Sequence, residues 1–145
     1  MKLLGIITIL HIVRKPKTSI VIVKDDLGRI LLLRRSKTDT WMPNRWALPG
    51  GHIDFMETAK EAAIRELKEE TNLIALDIQQ IPSIKKRDAL FFVSNWKGTV
   101  NLEKASHGFE HSNYIWIHPN DILDLKFVVP ELKSNKIIKL FNILG

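Results

Sequence analysis

Three carboxylates, Glu66, Glu69 and Glu70, stand three and four positions apart in a stretch that reads as helix. At about 100° per residue, that spacing projects all three from one face. Like charges so placed destabilise an isolated helix, and near its C-terminal end they also oppose the macrodipole. A solvated Glu/Lys face is the ordinary reading of such a cluster. Here, however, Lys60, Glu61 and Lys68 already form the solvent side. The acids share their side with the small, inward-packing residues Ala59, Ala62 and Ala63. Acids on a half-buried stripe call for cations, and hard oxygen ligands select Mg²⁺ or Mn²⁺.

The neighbouring residues suit the same chemistry. Gly50-Gly51 permits a tight turn against the helix and leaves backbone carbonyls beside the acids. Arg65 adjoins Glu66 but points to a neighbouring face, from which it can reach a carbonyl or a second carboxylate and tie the loop to the helix. Glu57 stands at the helix N-terminus, where an acid complements the dipole and can cap.

The elements that must position these groups follow from the apolar pattern. Residues 18–23 and 29–34 read as two strands joined by a turn at Asp25-Asp26-Leu27-Gly28, a hairpin-like pair. Residues 36–45 are a polar loop, and Pro49-Gly50-Gly51 is a break. A helix over 57–71 has Ala59, Ala63 and Leu67 at four-residue intervals, and Asn72 supplies a left-handed stop. Strands are expected at 89–94 and 114–117, a short helix from Pro119 to Ile122, and an amphipathic helix over 131–144. Mixed strands with two principal helices indicate an α/β sandwich.

Composition narrows the class. At 145 residues, the chain is expected to form one domain over 1–145. It contains no cysteine, which excludes disulfides, thiolate zinc sites and cysteine nucleophiles. Lys and Arg number 22 against 16 Asp and Glu, a net charge of +6. Residues 41–80 carry four bases and seven acids, so an acidic island sits between basic flanks. Such a balance suits nucleic acid, an anionic membrane or a phosphorylated small molecule. No block of like charge suggests a nucleic-acid arm. The apolar run 3–10 lacks a cleavage site, is too short to cross a bilayer, and reads as a strand or edge segment. A cytoplasmic protein is expected.

Gly51, Glu57, Arg65-Glu66, Leu67, Glu69-Glu70 and Leu73 fall at the spacings of the Nudix box, so the chain resembles a Nudix hydrolase over a box at 51–73. Asn72 replaces the family's glycine, and as the next-best left-handed residue it should preserve the turn. Trp46-Ala47-Leu48-Pro49-Gly50-Gly51 is similar to the family's entry into the box, and Ile30-Leu31-Leu32-Leu33-Arg34-Arg35 to its preceding strand. The resemblance covers roughly residues 18–125. It implies an α/β/α sandwich with a mixed β-sheet between helices.

The resemblance also implies Mg²⁺-dependent hydrolysis (Mn²⁺ as the variant cofactor) of a pyrophosphate bond in a nucleoside diphosphate linked to another group. Substrates of that kind are nucleoside triphosphates, dinucleoside polyphosphates and nucleotide sugars. Glu66, Glu69, Glu70 and the Gly51 carbonyl match the metal ligands, and Arg65 matches the arginine that orients the loop and Glu66. The base outside the box is Glu103 or Glu110. Glu110 is favoured because Glu110-His111-Ser112-Asn113-Tyr114-Ile115-Trp116 resembles a segment of some nucleotide-hydrolysing members.

Arg35, with Arg34 beside it, is the expected phosphate contact, and Trp41, on a polar loop, the expected base contact. His107 and His111 read as phosphate contacts, acid–base groups or idle loop residues. An RNA 5′-end pyrophosphohydrolase and a catalytically silent nucleotide sensor are the alternatives. No membrane partner is expected, and nucleic acid only as an RNA 5′ end. Segment 3–10 is the candidate surface for a homodimer.

Overall fold

The structure, a computed structural model, describes residues 15–145. The expected edge segment at 3–10, and the dimer surface assigned to it, lie outside the described residues.

Two sheets carry the fold. β1 (Thr18–Val23) runs parallel to β6 (Asp88–Lys97) and antiparallel to β4 (Gly50–His52), and β5 (Ile74–Ile81) closes the far edge, in the order β4-β1-β6-β5. β2 (Ile30–Arg35) lies between β3 (Trp46–Ala47) and β7 (His111–Ile117), all antiparallel. The turn expected at 25–28 is present, but β1 and β2 are not a hairpin ladder. One bridge, Lys24 to Ile30, joins them before they enter different sheets. Both strands are apolar on both faces, and such strands gain more as interior strands than as a half-solvated hairpin.

Alternation along these strands divides the core in two. Val21, Val23, Leu31, Leu33, Phe91 and Val93 meet Ala63 and Leu67 of α1 (Ala59–Thr71) on one side. Ile22, Ile30, Leu32, Leu90 and Phe92 face Ile137, Ile138 and Phe141 of α2 (Asn135–Ile143) on the other. The sheets therefore lie between two helices, as a mixed α/β sandwich.

The C-terminal helix starts later than its apolar pattern suggests. Pro130–Lys133 forms a 3₁₀ turn, and Ser134 then caps α2 by accepting the N–H of Ile137 at 3.2 Å. Its other end is closed from the residue after β1, where Lys24 Nζ donates to the carbonyls of Phe141 (2.8 Å) and Leu144 (2.5 Å). No helix among the described residues is long and apolar enough to cross a membrane.

Helix α1 is fixed at both ends, and its ends set the site. Thr58 is the N-cap, forming a reciprocal capping box with Glu61. The cap role that the sequence suggests for Glu57 thus falls to its neighbour. Ser19 on β1, fully buried, donates to the Ala59 carbonyl at 2.6 Å and ties the helix to the sheet. At the other end Asn72 takes φ +72°, and its N–H reaches the Lys68 carbonyl at 2.9 Å.

Candidate active site

Arg65 is the hub of the site. Its Nε and Nη2 donate to Glu57 Oε2 (2.7 Å) and Oε1 (3.0 Å), forming a two-pronged pair. Nη2 also reaches the His52 carbonyl at 3.0 Å, and Nη1 bridges Glu66 Oε1 (2.9 Å) and Glu69 Oε2 (3.0 Å). One guanidinium therefore ties the loop after β4 to two box acids. Gly51 lies against the same carboxylate: a Cβ at this position would stand 2.6 Å from Glu66 Cδ and Oε1. Only a residue without a side chain leaves that space to the acid.

Glu70 is held separately and more deeply. The Gly50 N–H donates to its Oε1 at 2.9 Å, and His111 Nε2 lies 3.2 Å from its Oε2. Glu69 has an imidazole of its own, with His107 Nδ1 at 3.0 Å from Oε2.

Charge is unbalanced in this cluster. Burial pushes the Glu66 carboxyl above its ordinary value, and repulsion from Glu69 and Glu110 adds to this against the pull of Arg65. Burial raises Glu70 well above the carboxylate range, with Glu66 and Glu110 adding to it against the Gly50 N–H and Arg35. Burial and the Arg35 charge push the His111 imidazole down to about 4, against the opposing charge of Asp39. His111 is therefore neutral at physiological pH.

The structure brings most of the sequence-assigned residues together. Glu110 ends a 3₁₀ turn (Gly108–Glu110), its carboxylate exposed and its carbonyl accepting the Ser36 N–H at 2.9 Å. Its charge reaches both Glu66 and Glu70. Glu103 sits on an exposed turn held by Asn101 Oδ1. The two arginines of β2 part company, since alternation puts Arg35 on the α1 side with Leu33 and Arg34 on the other. Arg35 donates to Asp39 (2.5 Å) and the Trp41 carbonyl (2.9 Å), with its Cζ 4.7 Å from the Trp41 ring centroid. Arg34 reaches the Asn44 carbonyl (3.1 Å) and lies over Trp46 at 5.9 Å.

His111 is the residue that sequence reasoning placed least well. β7 alternates strictly from Ile117 back to Asn113, which would send His111 to the α2 side. The register slips between Arg34 and Arg35, so that Arg34 faces Asn113 but Arg35 faces His111. The extra residue, Ser112, turns His111 to the α1 side and against Glu70. A period-two pattern carries no signal of such a bulge.

The donor set suits a hard divalent cation: a glycine carbonyl and three carboxylates, of which Glu70 is buried and Glu66 half-buried, both with their charge undercompensated. Among the described residues, no three acidic or imidazole side chains already converge as a metal cage. The carboxylates are instead engaged by Arg65, Gly50, His107 and His111.

Comparison with known proteins agrees with this geometry. The family described as NUDIX domain matches residues 13–136. A putative 8-oxo-dGTP diphosphatase of Bacillus subtilis is 33% identical over 118 residues, 78% of this chain and 72% of that protein. An m7GpppN-mRNA hydrolase of Xenopus laevis is 47% identical over 53 residues, 37% of this chain, and the match spans only 18% of that protein. The crystal structure of a MutT protein from Methanosarcina mazei superposes with a TM-score of 0.60 at 25% identity, covering 88% of this chain and 94% of that one. The chain belongs to the Nudix family of hydrolases.

Proposed function

We propose that this chain is a metal-dependent pyrophosphohydrolase that cleaves the pyrophosphate bond of a small nucleotide. The class comprises nucleoside triphosphates, dinucleoside polyphosphates and nucleotide sugars. The observation that carries this reading is the clasp on α1, where Arg65 locks Glu57, Glu66, Glu69 and the His52 carbonyl into one unit beside Gly51. The nucleotide substrate named for the Bacillus subtilis relative supports the substrate class.

Glu66, Glu69, Glu70 and the Gly51 carbonyl would hold Mg²⁺ or Mn²⁺. When bound, such a cation supplies neutralisation of phosphate oxygens and acidifies water at the site. The chain's own part is positioning. Arg65 keeps the loop and Glu66 in register. Glu110, exposed at the rim, takes the proton of the attacking water. The water oxygen bonds to phosphorus, the bridging P–O bond breaks, and the leaving phosphate keeps the electron pair. Arg35 and Trp41 receive the rest of the nucleotide.

The test is a turnover screen with Mg²⁺ and Mn²⁺ on nucleoside triphosphates, dinucleoside polyphosphates, nucleotide sugars and 5′-triphosphorylated RNA. Glu66→Gln and Glu70→Gln are run alongside. Metal-dependent phosphate or pyrophosphate release that falls by about a thousandfold or more in both variants is the expected result, since both remove charge at the reacting centre. Undiminished release in both variants would overturn the assignment. Release from the RNA alone would move the substrate to an RNA 5′ end.

A further inference from the structure

We infer that His111 is a positioning residue for the metal site: it holds the Glu70 carboxylate from behind, in the orientation a divalent cation requires. The inference rests on the reading of Glu70 as a metal ligand, and adds to it a residue outside the box.

The contact is enclosed. The two side chains are 4% and 3% exposed, and His111 Nε2 stands 3.2 Å from Glu70 Oε2. Gly50 N–H meets the other oxygen at 2.9 Å. The Gly50 N–H and the His111 imidazole stand against different oxygens, so together they restrict the rotation of the carboxylate plane. One donor alone would leave the group free to swing about that bond. With Nε2 rather than Nδ1 turned to the carboxylate, the tautomer that suits this contact carries its single proton on Nε2. Its Nδ1 then remains a bare acceptor, and that atom has no hydrogen-bond partner among the described residues. Among the described residues, Glu70 is therefore the one polar group that the His111 side chain approaches within ion-pair distance.

The backbone is also shaped for the contact. A bulge at Ser112 turns His111 from the α2 side of the sheet to the α1 side, opposite Arg35. Without that slip Ser112 would face α1, and a serine is too short to take the imidazole's place. Partners of metal-bound carboxylates that fix orientation in this way commonly alter affinity by about 10- to 100-fold when removed.

The experiment measures Mn²⁺ binding to the full chain without substrate, by the EPR signal of free Mn²⁺, for the parent, His111→Leu, His111→Gln and Glu70→Gln. His111→Leu keeps bulk but loses the donor, whereas His111→Gln places an amide N–H near the position of Nε2. The expected result is Mn²⁺ affinity about tenfold weaker in His111→Leu and within about threefold of the parent in His111→Gln. In parent protein carrying ¹⁵N-histidine, the His111 nitrogen resonances should also move on saturation with Mg²⁺. Those of His118, beyond the opposite end of β7, should not.

Parent-like affinity in His111→Leu, with weakened binding in Glu70→Gln, would overturn the role of His111 and leave the metal site standing. Unchanged affinity in Glu70→Gln would remove Glu70 as a ligand, and the inference with it. Should His111→Leu fail to fold, as near-UV circular dichroism would show, the labelled parent decides. A His111 resonance indifferent to Mg²⁺ overturns the inference.

Discussion

Arg65 and Glu57 meet through two parallel hydrogen bonds, at 2.7 and 3.0 Å, and this pair closes the loop after β4 onto the first turns of α1. The same guanidinium continues to Glu66, Glu69 and the His52 carbonyl, so its planar fork serves several acceptors at once. A lysine ammonium has the charge but not the fork. Arg65→Lys is therefore expected to lower kcat/KM by about tenfold or more while costing about 1–2 kcal/mol of stability. Steady-state kinetics beside urea unfolding separates the two effects. A variant equally active and equally stable would show that the fork is dispensable.

The adjacent glycines separate folding from function. Gly50 sits at φ +150°, and a Cβ there would collide with the Ser19 carbonyl oxygen and lie 3.0 Å from Ile20 Cα. Both obstacles are backbone of β1, so Gly50→Ala should cost about 3 kcal/mol or more. Gly51 has ordinary φ, and the atoms nearest to its Cβ would be those of the Glu66 carboxyl group, the end of a side chain rather than backbone. Gly51→Ala should therefore melt close to the parent and lose most of its turnover. Differential scanning calorimetry and the phosphate-release assay on the two variants check the contrast, and equal melting temperatures would refute it.

The parts of this site legible in the sequence are those set by short-range rules. Helical spacing joins Glu66, Glu69 and Glu70, and strand alternation separates Arg35 from Arg34. The capping residue Asn72 reads as a stop because left-handed backbone suits asparagine. β5 was hidden for a physical reason: it is an edge strand whose residues, Asp77, Gln79 and Gln80 among them, are mostly half-exposed or exposed, so no apolar period marks it. His111 was hidden because its facing depends on a bulge, and a one-residue slip inverts every inference drawn from alternation. The grip of Glu57 on Arg65 spans a turn that the sequence treats as two separate signals.

At the β1–β2 turn, Asp25 accepts from the Arg29 N–H (2.8 Å) and Arg29 Nε (2.7 Å), and from the Leu27 N–H (3.1 Å). Burial alone would raise its carboxyl, but these donors and the Arg29 charge hold it below the ordinary 3.8. A carboxyl whose folded value is depressed stabilises the protein above its unfolded value, and that contribution is lost as pH falls through the folded one. Melting temperatures should thus fall in the parent below about pH 4. Asp25→Asn should start lower at neutral pH and approach the parent across that same window. Parallel curves for the two proteins would show that Asp25 contributes nothing by its charge.

Trp41 is half-exposed, at 50%, with the Arg35 guanidinium over its ring at 4.7 Å. Arg35 also donates to the Trp41 carbonyl and to Asp39, and Asp39 Oδ1 accepts the Trp41 N–H at 3.1 Å. The loop is thus pinned around the indole, and the large exposed ring offers a surface for stacking. Arg35 belongs to the same face as Glu70, whose ionisation its charge favours. Stacking on a base is worth about 1–3 kcal/mol, so Trp41→Ala should raise KM for a nucleoside triphosphate about fivefold or more, with kcat little changed. Tripolyphosphate, which has the phosphates without the base, supplies the control. Its KM should be indifferent to the substitution, and an equal rise for both compounds would mean that Trp41 shapes the loop and does not touch the base.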